Sequence, residues 1–188
     1  MTTYRIHKND RKWMLILTSF LFVFYVNGQR DLGIESIESQ LDEMNLAFDM
    51  PTENAFKFSK LRKSEFFEYD TRIRARSNEM EVLIALHPDG KDSLTTLFPH
   101  LEFQRLLANL SPNDDEQNIM VVGWRAQKLK ERNADWGAEA YFKPRKDISN
   151  FPYLKLIGFY REGQGMVVMA YCFDKPDMVP QLISFQEE

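Results

Sequence analysis

The stretch that decides the fold is EYDTRIRARSNEMEVLIALHPDG, residues 68–90. Polar residues alternate with apolar or small residues over residues 69–76, and large apolar residues occupy every second position over residues 80–86, namely Met80, Val82, Ile84 and Leu86. The turn residues Ser77 and Asn78 separate the two runs. A two-residue period on both sides of a short polar break predicts a β-hairpin, and we expect one face of this hairpin to be buried.

The chain on either side of the hairpin predicts further strands and short helices. Downstream, the segment 91–111 has leucines at near-helical spacing, namely Leu97, Leu101, Leu106, Leu107 and Leu110, and a helix is expected to begin within it at Pro99. Strands are predicted at IMVVGW (119–124), EAYFKP (139–144), YLKLIGFY (153–160) and GMVVMAYCF (165–173), with a glycine-containing turn before the last. Upstream, one helical stripe is formed by Ile34, Ile37, Leu41 and Met44. The state of residues 128–137 is left open, and residues 177–185 fit either a helix or a strand.

Strands and helices grouped in this order predict an α+β fold, in which helices pack on an antiparallel β-sheet as an α/β/α sandwich. The predicted organisation has three parts: residues 1–28 as a separate N-terminal segment, residues 29–49 as a short helical arm, and residues 50–188 as one domain. A chain of this length can bury a substantial core.

The N-terminal segment has the composition of a secretory signal peptide. Fourteen residues from Trp13 to Val26 are strongly apolar, and four basic residues precede them: Arg5, Lys8, Arg11 and Lys12. A transmembrane helix needs about 20 apolar residues, so the run favours a cleaved signal helix, with Gly28 as its last residue. We therefore expect an exported protein, periplasmic or extracellular. Two alternatives stay open, an uncleaved anchor that holds the protein at the membrane and a buried core helix.

The charge of the chain argues against nucleic acid as a partner. The whole sequence carries a formal charge of −4. Residues 1–28 contribute four positive charges and one negative charge, so the other 160 residues carry −7. An acidic domain is repelled by nucleic acid and by anionic lipid. We expect no nucleic-acid partner, and a membrane association only if residues 1–28 are retained.

The residues that usually carry catalysis or metal binding form no recognisable motif. After residue 28 the chain contains two histidines, His87 and His100, and one cysteine, Cys172. The H-E-x-x-H and paired C-x-x-C patterns are absent, as is the G-x-S-x-G elbow, and the acidic run 114–116 lacks EF-hand spacing. We predict no catalytic residue, metal or cofactor, and expect Cys172 to be a small buried hydrophobe. An exported hydrolase that uses an acid pair without a sequence signature stays as an alternative.

Three arginines on one predicted strand form the first candidate binding feature. Alternation places Arg72, Arg74 and Arg76 on the outward face of that strand, where Glu79 and Glu81 are available across the hairpin. Cross-strand ion pairs explain the stripe structurally. The alternative is that the guanidinium groups hold an acidic partner through bidentate contacts.

Two tryptophans with charged neighbours form the second candidate feature. Trp124 precedes Arg125, and Trp136 follows Asp135 in the segment NADWGAEAYF. Tryptophan is a frequent anchor of protein interfaces. The structural alternative is that these rings cap the core, as large aromatic side chains usually do.

The element order resembles that of the Mog1/PsbP-like proteins. The resemblance covers roughly Phe48 to Phe185 and rests on a hairpin, an HPDG turn, a helix, and the late hairpin GFYREGQGMVVMAYCF (158–173). It implies an exported, non-catalytic protein that binds another protein or assists assembly. Our hypothesis from the sequence is therefore a non-catalytic envelope protein with a protein partner, and a membrane-tethered structural protein is a further alternative.

Overall fold

The computed structural model describes residues 35, 37–50, 55–62, 64–77, 79–90, 97–112, 119–175 and 180–186. Residues 37–43 are helical, and two further helices are α1 (Pro99–Leu110) and α2 (Ala126–Glu131). The strands are β1 (Leu46–Phe48), β2 (Phe56–Phe58), β3 (Thr71–Ala75), β4 (Met80–Pro88), β5 (Met120–Gly123), β6 (Trp136–Phe142), β7 (Tyr153–Arg161), β8 (Gly165–Phe173) and β9 (Ile183–Phe185). The predicted N-terminal signal segment and the acidic run 114–116 lie outside the described residues.

Seven strands form one antiparallel sheet in the order β2-β3-β4-β8-β7-β6-β5, and β1 pairs with β9 separately. The predicted hairpin is confirmed as β3 and β4, with Ile73 opposite Val82. The predicted strands in the C-terminal half are confirmed as β5 to β8. The α+β prediction is therefore confirmed as a seven-stranded antiparallel sheet on which a few short helices pack.

The central strands are buried on both faces, which corrects the expectation of a half-exposed hairpin. All nine residues of β8 are buried. In β4, Val82 and Ile84 belong to one apolar cluster, whereas Leu83 and Ala85 belong to a second. Because successive side chains of a strand point to opposite faces, the two clusters lie on opposite faces of the sheet. The alternation seen in the sequence separates these two clusters and does not separate core from solvent.

The first cluster is closed by the N-terminal helical residues and by the small sheet. Ile37, Leu41 and Met44 are buried in it, together with Ile183 and Phe185 of β9. The structure describes three of the four residues of the predicted apolar stripe, and all three are buried. The segment 177–185, for which helix and strand were both open, ends as strand β9.

The second cluster is closed by α1. Pro99 occupies the first turn of this helix, as predicted. The buried stripe is different from the predicted row of leucines, because Leu97 and Leu101 are 65% and 52% exposed, while Phe103, Leu106 and Leu110 are buried. Phe103 lies against β7, where a Cβ placed on Gly158 would come within 2.7 Å of its Cδ2 atom.

Residues 128–137, whose state the sequence left open, contain a chain reversal. α2 ends at Glu131, Asn133 adopts a left-handed conformation with φ of 49°, and β6 begins at Trp136. Asparagine tolerates this conformation better than most residues. Because a short helix, a four-residue reversal and the start of a strand share these ten residues, none of them shows a complete period in the sequence.

Candidate functional site

The arginine stripe is divided by the fold into residues with different environments. Arg72 is 6% exposed, although the sequence placed it on an outward face. Its Nε atom lies 3.2 Å from Glu81 Oε2, and its Nη2 atom donates to the same oxygen. Ser149 Oγ donates to the other carboxylate oxygen of Glu81 at 3.1 Å. The predicted cross-strand pairing with Glu81 is therefore confirmed, but it is a buried network and not a surface one.

Among the described residues, the network joins Arg72, Glu81 and Ser149, and Arg74 and Arg76 lie outside it. Arg76 is exposed, and Arg74 is partly buried. Within the described residues, the Nε atom of Arg74 is buried without a hydrogen-bond partner. We define the arginine cleft as the cavity of about 270 Å³ beside Arg74, lined also by Arg62, Arg72, Glu81, Ser149 and Asn150.

Trp124 is part of the core. It is 9% exposed and its ring stacks on Phe159, with ring centres 5.6 Å apart. Gly137 makes room for it, because a Cβ at that position would lie 2.3 Å from the Trp124 ring. The Nζ atom of Lys128 lies 4.6 Å from the ring centre, which adds a cation–π contact. Trp124 thus supports the surface around Arg125, which is itself exposed.

Trp136 and Asp135 lie in a different place from Trp124. Trp136 is partly buried and meets Phe103 of α1 edge-to-face, with ring centres 5.9 Å apart. The two tryptophans contact clusters on opposite faces of the sheet, so they do not form one patch. Asp135 is exposed, and its Oδ2 atom accepts a hydrogen bond of 2.8 Å from the backbone N–H of Glu162. This contact ties the β7–β8 turn to the start of β6.

The sequence identified β5 as a strand but did not identify its exposure. All four residues from Met120 to Gly123 are exposed, and Met120 is 72% exposed. Within the described part of the chain, β5 pairs with β6 alone and forms an edge of the large sheet. A run of uncharged apolar residues signals a strand in either a central or an edge position, so local sequence cannot distinguish the two.

The side of β5 that faces away from β6 carries the backbone N–H and C=O groups of every second residue. The backbone N–H of Trp124 donates to Gly137 O at 2.8 Å, which makes this pair a hydrogen-bonded pair of the ladder. In an antiparallel ladder such pairs alternate with non-hydrogen-bonded ones. It follows that Val121 and Gly123 direct their N–H and C=O groups away from β6.

A pocket of about 520 Å³ lies next to this edge, and Trp124 contributes to its wall. Three cationic residues line it, namely Arg125, Lys128 and Arg132, against the two acids Glu131 and Glu139. We call β5 together with this pocket the edge surface.

Glu139 on β6 is held ionised beside the edge surface. Burial alone would raise the pKa of its carboxyl group. Lys128 Nζ at 2.6 Å and Lys155 Nζ at 3.2 Å outweigh this effect and lower the pKa below its ordinary value. With three cationic residues against two acids in its lining, the pocket carries a net positive charge.

The lone cysteine is buried, as predicted. Burial raises the pKa of the Cys172 thiol to about 12, so the thiol is protonated at neutral pH. Among the described residues, no three His, Cys, Asp or Glu side chains are grouped so as to hold a metal ion. The same residues contain no helix of the length and apolarity needed to cross a membrane.

Comparison of the chain with protein-family models, with curated proteins and with solved structures gave no match.

Proposed function

We propose that this chain is an exported, non-catalytic protein of the cell envelope, which binds an extended segment of another protein along the edge surface. The observation that carries the proposal is the exposed, uncharged strand β5, which pairs on one side only among the described residues. Soluble proteins usually protect sheet edges with charges, prolines or bulges. None of the four residues MVVG of β5 is charged or a proline.

Strand addition at β5 would use both parts of the edge surface. The N–H and C=O groups of Val121 and Gly123 would bond to the backbone of the partner, and this type of contact supplies affinity with little dependence on sequence. Alternate side chains of the added strand would face the pocket beside Trp124. Because cations outnumber acids there, the partner segment is expected to place an acidic side chain in the pocket.

Export is proposed on the N-terminal sequence. The basic residues before Trp13 and the fourteen-residue apolar run favour a signal peptide that is cleaved after Gly28. Retention of the same segment would give a membrane-tethered protein with the same binding domain. We also propose that the domain is a Mog1/PsbP-like α/β/α sandwich. The support for this fold is that an apolar cluster is closed on each face of the sheet.

The test compares Val121→Pro with Val121→Thr. Proline removes the outward N–H without removing a β5–β6 hydrogen bond, and proline is tolerated on edge strands when its nitrogen faces outward. Threonine changes the side chain but keeps the N–H and the strand propensity. C-terminally tagged copies of the wild type and of both variants are crosslinked in the native host and isolated under gentle conditions.

We expect the wild type and Val121→Thr to retain one stoichiometric partner, and Val121→Pro to lose it while its melting temperature stays close to that of Val121→Thr. Equal recovery of the partner by all three proteins would place the binding site elsewhere. A complex that contains only two copies of this chain would reject the hetero-partner and make β5 a self-association edge.

A further inference from the structure

We propose that the arginine cleft is a second binding site, which takes a small oxyanion, namely a carboxylate or phosphate group, on Arg74 and Arg62. The cleft lies beside β3, one strand from the β2 edge, whereas the edge surface is at the opposite end of the strand order. The proposal is therefore independent of the partner segment at β5.

The ion pair of Arg72 builds the wall of the cleft and leaves Arg74 available. Arg72 directs both its Nε and its Nη2 atoms to Glu81, and Ser149 holds the same carboxylate. The charges of Arg72 and Glu81 therefore compensate each other. Arg74 lies opposite Glu81 in the strand register, but within the described residues its buried Nε donor has no hydrogen-bond partner.

A buried donor without a partner is costly, because it has lost its hydrogen bonds to water and gained none in return. Such a group in a native structure requires an explanation, and here it belongs to a guanidinium group that lines the cleft and has no hydrogen-bond partner for its Nε atom among the described residues. The donor here belongs to a planar guanidinium group, whose geometry matches the two oxygens of a carboxylate or phosphate. The chemistry of Arg74 thus selects the class of ligand.

The charge of the cleft has the opposite sign to that of the chain. Arg62 and Arg74 line the cavity, Lys57 lies opposite Arg74 on β2, and Asp174 is the acid that faces them outside the Arg72–Glu81 pair. The chain as a whole carries −4. A cationic cleft on an acidic protein concentrates small anions locally, because field lines are focused in a concave site.

The size of the cleft limits the ligand. Its volume of about 270 Å³ lies below the range of roughly 300–1,000 Å³ that is typical of drug-sized ligands. Phe151 supplies an apolar wall beside Asn150. We therefore expect a phosphate ion, a short carboxylic acid or a single terminal carboxylate, and not a nucleotide.

The experiment is a titration of the full chain, followed by NMR of its backbone amides, at constant ionic strength. The probes are inorganic phosphate, acetate and succinate, each against chloride as the reference anion. Saturable shifts at residues 74, 149 and 150 with at least one probe are expected, and the probe that binds distinguishes a phosphate from a carboxylate ligand.

The variants are Arg74→Gln, Arg74→Lys and the control Arg76→Gln, which changes an exposed arginine on the same strand outside the cleft. Binding is expected to weaken about 10- to 100-fold in Arg74→Gln, the loss typical of a charge-assisted hydrogen-bonded contact. Arg74→Lys keeps the charge without the bidentate geometry and is expected to lose less. Arg76→Gln is expected to bind as the wild type does.

The unshifted part of each spectrum reports whether a variant is folded. Absence of saturable shifts with all three probes would overturn the proposal. Equal affinity of Arg74→Gln and Arg76→Gln would overturn it as well, since binding would then reflect general surface charge.

Discussion

At the scale of single residues, neighbours of one type have different roles because the fold gives them different surroundings. Arg72 is buried against Glu81, Arg76 is exposed, and Arg74 lies between these extremes with a buried donor. Their sequence pattern is the same in each case, one arginine at every second position. Only the elements that cover Arg72 make it structural and leave Arg74 as a candidate for ligand binding.

The buried pair of Arg72 and Glu81 gives a prediction for stability. Arg72→Met is expected to lower the free energy of unfolding by about 3–5 kcal/mol, because it leaves the Glu81 carboxylate buried without its counter-ion. The double variant Arg72→Met/Glu81→Leu should recover much of this loss, because neither charge is then buried. Urea denaturation of both proteins measures the difference. Arg76→Met is the matched control and should change stability by less than about 0.5 kcal/mol.

At the scale of elements, position in the strand order decides what a strand contributes. β8 lies between β4 and β7, and all of its residues are buried. β5 lies at an edge, and all of its residues are exposed. Both are short apolar runs in the sequence, yet the first forms the centre of the core and the second offers a surface to a partner.

The burial of β8 predicts a loss of stability at alkaline pH. Burial raises the pKa of the Cys172 thiol from an ordinary 9.0 to about 12, although a hydrogen bond with Ser149 acts in the opposite direction. The thiol therefore has a higher pKa in the folded protein than in the unfolded chain. Its contribution to the free energy of unfolding is fully present below pH 9 and is lost as the pH rises towards about 12. The expected slope is about 1.4 kcal/mol per pH unit for this one group.

Comparison with Cys172→Ala isolates the thiol. The neighbouring Tyr171 also has a raised pKa because of burial, but it is present in both proteins and its contribution cancels in the difference. Urea denaturation between pH of about 8 and 11 should show the wild type losing stability faster than Cys172→Ala. Parallel curves for the two proteins would show that the thiol titrates normally in the folded state.

At the scale of the whole molecule, charge and the N-terminal sequence are the properties that bear on its location. The chain is acidic overall, and the proposed cleavage would make it more so by removing a basic segment. A protein with this charge depends on local cationic patches to bind acidic groups. The arginine cleft and the pocket beside Trp124 are two such patches among the described residues.

Processing of the N-terminus gives a prediction that intact mass spectrometry can check. The protein isolated from its host should lack residues 1–28 and begin at Gln29, leaving 160 residues. Gly28→Trp should block this cleavage, because the position before a cleavage site requires a small residue. Gly28→Ala should be processed as the wild type is. A full-length mass for the wild type would instead support the membrane-tethered alternative.

The strands and helices of this protein were predictable from the sequence wherever the spacing of apolar residues follows one period over a complete strand or helix turn. The β3–β4 hairpin, the late β7–β8 hairpin, the helix that begins at Pro99 and the burial of Cys172 follow from local periodicity and turn residues. Local periodicity survives in the fold because it reflects the geometry of the backbone itself. The buried face of α1 was the exception, because Leu101 and the preceding Leu97 are exposed and Phe103 takes the inner position.

The candidate sites were decided by the tertiary structure. Strand order, which places β5 at an edge and β8 at the centre, depends on pairing between residues far apart in the chain. The same pairing buries Trp124 over Gly137, brings Ser149 to Glu81, and leaves Arg74 with an unpaired donor among the described residues. The sequence by itself determined the strands, the acidic charge and the signal-like N-terminus, because these depend on neighbouring residues or on composition. Exposure and unpaired polar groups depend on contacts between distant segments, and only the folded chain decides them.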